Sequence, residues 1–259
     1  MHSTKIVLYE LSSGLPDGKP LSPWSTTVRC ALNYRQLSHR TELIPLRAFQ
    51  ALAVQIGAKP TTTFPDGSPK YTTPTIVDST NCTPSSPPIV LSESIDILQY
   101  IERTYPDASR PLFTSIAVDR LAQEAVIGML FPVLNGLDIR ATYASVPDAD
   151  KPTWRDRWLG GKDIDEFVAD KKSEGYLDQL RKGEESWTKC AGYLGEEGGK
   201  WFGGKKPVFV DFFVLGAVSM VRDIWEEEWE GTFGRVGGGR MGRYLEDGEE
   251  YLKVRTEFA

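Results

Sequence analysis

The sequence predicts an α/β domain, a mixed sheet with helices on both faces, followed by an all-helical domain. Three observations carry this. Over the first hundred residues, β-rich runs and segments of helical period alternate as β-α-β-α and then β-β-α. Beyond Pro106 strand signals nearly vanish and long segments of helical period replace them. Pro74 opens a strand; lacking an N–H it belongs at a strand start or edge, and its X-Pro bond is a candidate for the cis form. The domains are placed at residues 1–107 and 115–259, joined by a polar linker at 107–110.

Residues 5–11, KIVLYEL, read as the first strand. Residues 12–20 hold Ser, Gly, Pro and the turn pair Asp17-Gly18, and form a loop. A helix starts near Ser22-Pro23, because proline suits a first turn and Ser22 can cap it. Val28, Ala31, Leu32 and Arg35 continue it at helical spacing. Residues 39–46 return as a strand, and 48–56 as a helix ending at Gly57. Residues 59–70, KPTTTFPDGSPK, read as a polar loop. Residues 71–106 give strand, loop, strand and a helix opening on Ser92-Glu93-Ser94.

In the second half, Ile116, Leu121, Ala125, Met129 and Val133 share helical spacing over 115–140, with Pro132 a kink. Residues 164–194 read as one long helix, weakened by Gly175 and Gly183. Residues 209–225 are almost all apolar; 17 residues carrying two aspartates make a buried core helix, not a membrane span. Residues 240–254 form a last helix. The acidic run at 225–230 reads as a solvated helix end. GGGRMG at 237–242 spells GxGxxG, but no strand precedes it, so a dinucleotide site is rejected.

A net charge of −6 and a pI of about 5.2 give no electrostatic case for nucleic acid or an anionic membrane as partner. The N-terminus lacks the basic and apolar regions of a signal peptide. Cys30, Cys82 and Cys190 lie far apart with no CxxC, and two histidines make a metal site improbable. Together these imply a reducing, cytoplasmic setting.

The stretch 71–106 also carries chemistry. A strand feeding directly into a helix leaves N–H groups and the positive dipole end exposed, which attracts a carboxylate. Glu93 beside them can pair with an ammonium. An α-amino acid end carries both groups. This ordered set, Thr-Pro at a strand start, a hairpin, then Glu-Ser opening a helix, resembles the glutathione site of cytosolic glutathione S-transferases. The resemblance implies a thioredoxin-like first domain. It also implies that Thr73, before a cis Pro74, bonds the cysteinyl backbone of glutathione, with Glu93 and Ser94 holding its γ-glutamyl end. For the glycyl carboxylate Gln55, Lys59 and Lys70 are available, and Lys59 is preferred.

Residues 21–34 are similar to the S-P-x-x-W-x-T-R-x-A-L-x-Y segment of fungal glutathione transferases related to bacterial lignin β-etherases. Ser22-Pro23, Arg29, Ala31-Leu32 and Tyr34 match; Thr26 and Val28 stand where tryptophan and threonine are expected. The resemblance implies that Ser22 stabilises the glutathione thiolate, with Ser25, one turn further in, as the alternative. A free thiol has a pKa of about 8.5. Lowering it by about two units takes about 2.7 kcal/mol, within reach of one hydroxyl donor at a helix N-terminus. Cys30 lies two turns inside this helix, so thiol-transfer chemistry is disfavoured. These transferases begin their core helix with Ser/Thr-x-x-Asp; here Asp211 is kept but Val208 cannot cap.

The implied activity is glutathione transfer to a hydrophobic or aromatic electrophile, by conjugation or etherase-like cleavage. The acceptor is expected between residues 12–21 and the first helix of the second domain, near Trp24, Phe131 and Tyr143. A non-catalytic carrier of glutathione and aromatic metabolites is the alternative. The family implies a homodimer.

Overall fold

The computed structural model describes residues 2–136, 139–167, 170–195 and 198–258. Strand β1 (His2–Leu11) pairs in parallel with β2 (Leu37–Ile44) and antiparallel with β5 (Thr75–Asp78), which pairs antiparallel with β6 (Ile89–Ser92). The sheet order is therefore β2-β1-β5-β6. A parallel pair needs a crossover, which helix α1 (Pro23–Tyr34) supplies. Alternation along β1 then sorts its side chains. Ile6 and Leu8 point into the core that holds Val28, Leu32, Ile97 and Ile101 of α1 and α3 (Ser94–Thr104). Val7 and Tyr9 point the other way, onto Phe49 and Ala53 of α2 (Leu46–Gln55). Helices thus cover both faces, as the alternating pattern requires.

The segment 59–70, expected as a loop, contains a small hairpin, β3 (Thr62–Thr63) against β4 (Pro69–Lys70). Its turn closes through Phe64 N to Ser68 O at 2.9 Å, with Gly67 at φ 83°. Asp66 bonds the Ser68 N–H and hydroxyl, local chemistry sufficient to reverse the chain.

The second domain comprises α4 (Ile116–Gly136), α5 (Ile139–Ala144), α6 (Lys151–Leu159), α7 (Glu174–Gly192), α8 (Phe209–Ile224), α9 (Glu226–Gly231) and α10 (Val236–Gly248). Helix α8 is the apolar segment anticipated as core, and it packs flush on α1. Tyr34 meets Phe212 and Trp24 meets Phe213, at ring-centroid distances of 5.5 and 5.6 Å. A Cβ added to Gly216 would lie 2.7 Å from the Pro23 carbonyl oxygen, so glycine is what lets the two backbones approach. The chain end returns to the first domain, where Asn33 Nδ2 donates to the Tyr251 and Lys253 carbonyls.

Several expectations change. The long helix over 164–194 is instead α7 alone, preceded by a 3-10 turn at Ile164–Phe167; Ser173 Oγ accepts from Tyr176 N and starts the helix there. Gly175 consequently falls in its first turn. Val208 indeed offers no cap, but Asp211 accepts from the N–H groups of Val208, Phe202 and Gly203 and from the Tyr244 hydroxyl, anchoring a loop as well as the helix. Burial raises this carboxyl to a pKa of about 6 against those four donors. The acidic run is not simply solvated: Glu228 is buried and accepts from Tyr176 Oη and Lys171 Nζ. Gly237, Gly238 and Gly239 are left-handed turns before the regular part of α10. The side chains of Pro132 and Val133 lie outside the described residues.

Candidate active site

Ser22 sits at the N-cap of α1 with extended backbone, half-buried, and its Oγ accepts a long 3.4 Å bond from Ser25 N. That bond uses a lone pair and leaves the hydroxyl hydrogen free to donate. Ser22 lines a cleft of about 480 Å³, within the size range of small-molecule sites. One wall is the segment from Leu11 to Trp24; the others come from Phe131 on α4, Ile139 and Thr142 on α5, Trp154 and Trp158 on α6, and Met220 and Ile224 on α8. Trp24 packs on Phe131 at 5.3 Å, joining the two domains' walls. Tyr143 does not line this cleft; it packs behind Trp154, ring centroids 5.6 Å apart and tilted by 58°, and receives Lys151 on its ring. Ser25 is fully buried and its Oγ has no hydrogen-bond partner.

Beneath Ser22, α1 is clamped to the end of β1. Arg29 Nη1 bonds both Glu10 carboxylate oxygens at 3.0 and 2.8 Å, and its Nη2 bonds Thr26 Oγ1 at 3.0 Å, all buried. A single-partner loss from such a pair strands a buried charge. Cys30 is buried in the same helix, and burial pushes its thiol up to about 12, which makes it inert at neutral pH.

The Thr73-Pro74 peptide bond is cis. Pro74 is buried, Thr73 is half-exposed, and neither the N–H nor the C=O of Thr73 is used by a hydrogen bond among the described residues. Tyr9 faces Thr75 in the β1–β5 register, so the paired part of β5 begins directly after this peptide bond. Glu93 occupies the N-cap position of α3 at φ 71°, a region few side-chain-bearing residues adopt, and strain of this kind concentrates at ligand clamps. Its exposed carboxylate accepts from Thr72 Oγ1 at 3.3 Å. Ser94 is the first helical residue, nearly buried, with its backbone N–H unclaimed at the positive end of the helix. Thr72 and Glu93 thus meet, with Thr73 and Ser94 next to them in the chain, while Lys59 stands exposed after α2 without a described partner.

Helix α6 was not foreseen, although Pro152 in a first turn and tryptophans four residues apart at Trp154 and Trp158 are its local signals. It lies over α2. Asp150, fully buried, bonds Leu46 N and Arg47 N, each at 3.1 Å, and so caps α2 from the other domain, since α2's own N-cap is Pro45. Further along α6, Arg157 Nη2 donates to the Tyr71 carbonyl at 3.1 Å, beside Gln50 Nε2 at 2.9 Å.

Among the described residues no cluster of His, Cys, Asp and Glu could hold a metal, and no helix is long and apolar enough to cross a membrane. No curated protein matches the sequence. Solved structures do resemble it. A glutathione S-transferase of Ceriporiopsis subvermispora, in complex with glutathione, is 25% identical with a TM-score of 0.80 and covers 96% of this chain and 98% of its own. Another from that organism, also with glutathione, is 22% identical with a TM-score of 0.78 over 95% and 98%. The glutathione transferase GSTFuA3 of Phanerochaete chrysosporium is 22% identical with a TM-score of 0.80 over 96% and 98%. Residues 21–104 match the family model of the glutathione S-transferase N-terminal domain, and residues 117–251 that of the C-terminal domain. The two matches follow the α/β and helical halves just described, and the chain belongs to the glutathione S-transferase family.

Proposed function

We propose that this chain is a serine-type glutathione transferase of the fungal group related to bacterial lignin β-etherases. Glutathione lies extended, its cysteinyl backbone on Thr73 and its γ-glutamyl end on Glu93 and Ser94. The observation that carries the reading is Ser22: a helix N-cap hydroxyl that lines the apolar cleft and whose oxygen already accepts a backbone N–H, leaving its hydrogen free to donate. A thiol placed there gives its proton to solvent and keeps S⁻, because one O–H donor and the α1 dipole favour the charge. The thiolate then attacks a hydrophobic or aromatic electrophile held among Trp24, Phe131, Trp154 and Trp158. Ser25, buried without a partner, is the weaker choice for this role. Lys59, exposed after α2, is the candidate that the sequence offers for the glycyl end, and it has no described partner.

The protein is placed in the cytoplasm and read as a homodimer. Val118 and Leu121, neighbours on one face of α4, are 58 and 68% exposed, which supports an apolar partner surface there.

The test is calorimetric binding of glutathione together with thiolate absorbance against pH, for wild type and Ser22→Ala. Wild type should lower the bound thiol's pKa by about two units, equivalent to about 2.7 kcal/mol, and Ser22→Ala should lose that lowering while still binding. Glutathione bound with an unshifted thiol would transfer the assignment to the carrier alternative.

A further inference from the structure

Arg157 is an unusual cation for its surroundings. It comes from the helical domain yet reaches the Tyr71 carbonyl, two residues before Thr73. Its guanidinium carbon lies 5.2 Å from the Trp158 ring and 6.0 Å from that of Phe64, at the turn of the β3–β4 hairpin. Lys70 Nζ lies 5.5 Å from the same Phe64 ring. Neither Arg157 nor Lys70 forms an ion pair with a carboxylate among the described residues. Two like charges therefore share one aromatic ring, and an anion arriving beside it would meet both. Among the described residues one Arg157 nitrogen is engaged, and the others are not sealed from solvent. Burial also pulls its pKa down from the usual arginine range.

The position fits one anion. On the reading above, on which this inference rests, the tripeptide pairs with Thr73 by its cysteinyl residue. Antiparallel pairing carries its last residue back along the chain, toward Thr72 and Tyr71. The free carboxylate then arrives where Arg157 waits. A guanidinium is suited to it because its planar donors match a carboxylate pairwise. The aromatic rings of Phe64 and Trp158 hold the fork in one orientation, and the closed hairpin turn holds Phe64.

We propose that Arg157, with Lys70 across Phe64, receives the glycyl carboxylate of glutathione and makes this site selective for thiol peptides that end in a free carboxylate. Glutathione then touches both domains, joining α6 and the hairpin over its C-terminal end, and Lys59 is left as surface.

The experiment compares glutathione with its glycine monoethyl ester by calorimetry, on the full chain. Wild type should prefer the free carboxylate by about tenfold, the worth of one partly exposed charge-assisted contact. In Arg157→Ala that preference should shrink to twofold or less, with the ester's affinity unchanged. Arg157→Lys should keep part of it, and Lys59→Ala all of it. If Arg157→Ala fails to fold, Arg157→Met, which keeps a stem across the rings, reads the same ratio. A preference that survives in Arg157→Ala or Arg157→Met, or is absent in wild type, overturns the proposal. Loss of the preference in Lys59→Ala alone overturns it too and returns the role to Lys59. A wild type that binds neither peptide refutes the Thr73 reading itself, and this inference with it.

Discussion

Asp150 caps a helix 104 positions away, and removing it should cost far more than a surface ion pair would. Its oxygens take the first two N–H groups of α2, and its side chain is fully buried. In Asp150→Ala these N–H groups lose their acceptor beneath α6, where water is excluded from the carboxylate's place. A lost cap costs about 1 kcal/mol, and stranding a buried donor about 1–3 kcal/mol, so about 2–4 kcal/mol in total is expected. For a chain of this size each kcal/mol lowers Tm by about 2–4 °C, which predicts a drop of about 4–16 °C. The Arg47 guanidinium also meets Asp150 at 2.8 Å, but it is 49% exposed, so Arg47→Ala should shift Tm by only about 1 °C. Asp150→Asn, keeping one acceptor oxygen, should fall between. Thermal unfolding by circular dichroism measures all three, and the near-ultraviolet signal of Trp154 and Trp158 should weaken in Asp150→Ala as α6 loosens. An Asp150→Ala melt within about 1 °C of wild type would refute the interdomain cap. So would an Arg47→Ala loss equal to that of Asp150→Ala, since the pair would then be an ordinary surface contact.

Gly216→Ala should lose about 1–3 kcal/mol, because its methyl meets the Pro23 backbone at 2.7 and 2.9 Å; the same push displaces Ser22, so the bound thiol should also titrate higher. Gly128→Ala, whose methyl meets nothing, is the control and should melt at or above wild type. His39 donates Nδ1–H to the Leu37 carbonyl, its Nε2 is buried without a partner, and burial lowers its pKa from 6.5 to about 4. The unfolded chain therefore binds a proton that the folded chain refuses, and stability is lost as pH falls from about 6.5 to 4, by about 3 kcal/mol at most. Asp211 works in the opposite direction: its pKa is raised from 3.8 to about 6, so its share of stability grows over that acid range. Measured as Tm against pH, His39→Gln should gain on wild type steadily below pH 6.5; parallel curves would exclude His39 as the acid-sensitive group.

The elements of the first domain were readable because each depends on a few neighbouring residues. The β-rich run of β1, the Ser22-Pro23 start of α1 and the proline before β5 are local sterics and hydrogen bonding, and the structure keeps them within a few residues. The same holds for Phe209–Ile224, whose apolar composition alone demands burial. Readings failed where a distant partner decides. Glu228 looked solvated until Tyr176 and Lys171 closed over it, and Tyr143 looked like a cleft residue until α5 turned it behind Trp154. The start of α7 turned on a competing cap at Ser173, which a continuous apolar spacing hides.

By itself, then, the sequence determined a mixed α/β half and a helical half, the cis-compatible Thr73-Pro74 corner, and a hydroxyl at the head of the first helix. Only the tertiary structure decided what surrounds them: α6 laid over α2 by Asp150, Gly216 set against Pro23, and Arg157 brought to Tyr71 across 86 residues. Backbone conformation is set within a turn or two of chain, whereas burial and ion pairing depend on which residues the fold makes neighbours, and no local pattern records that.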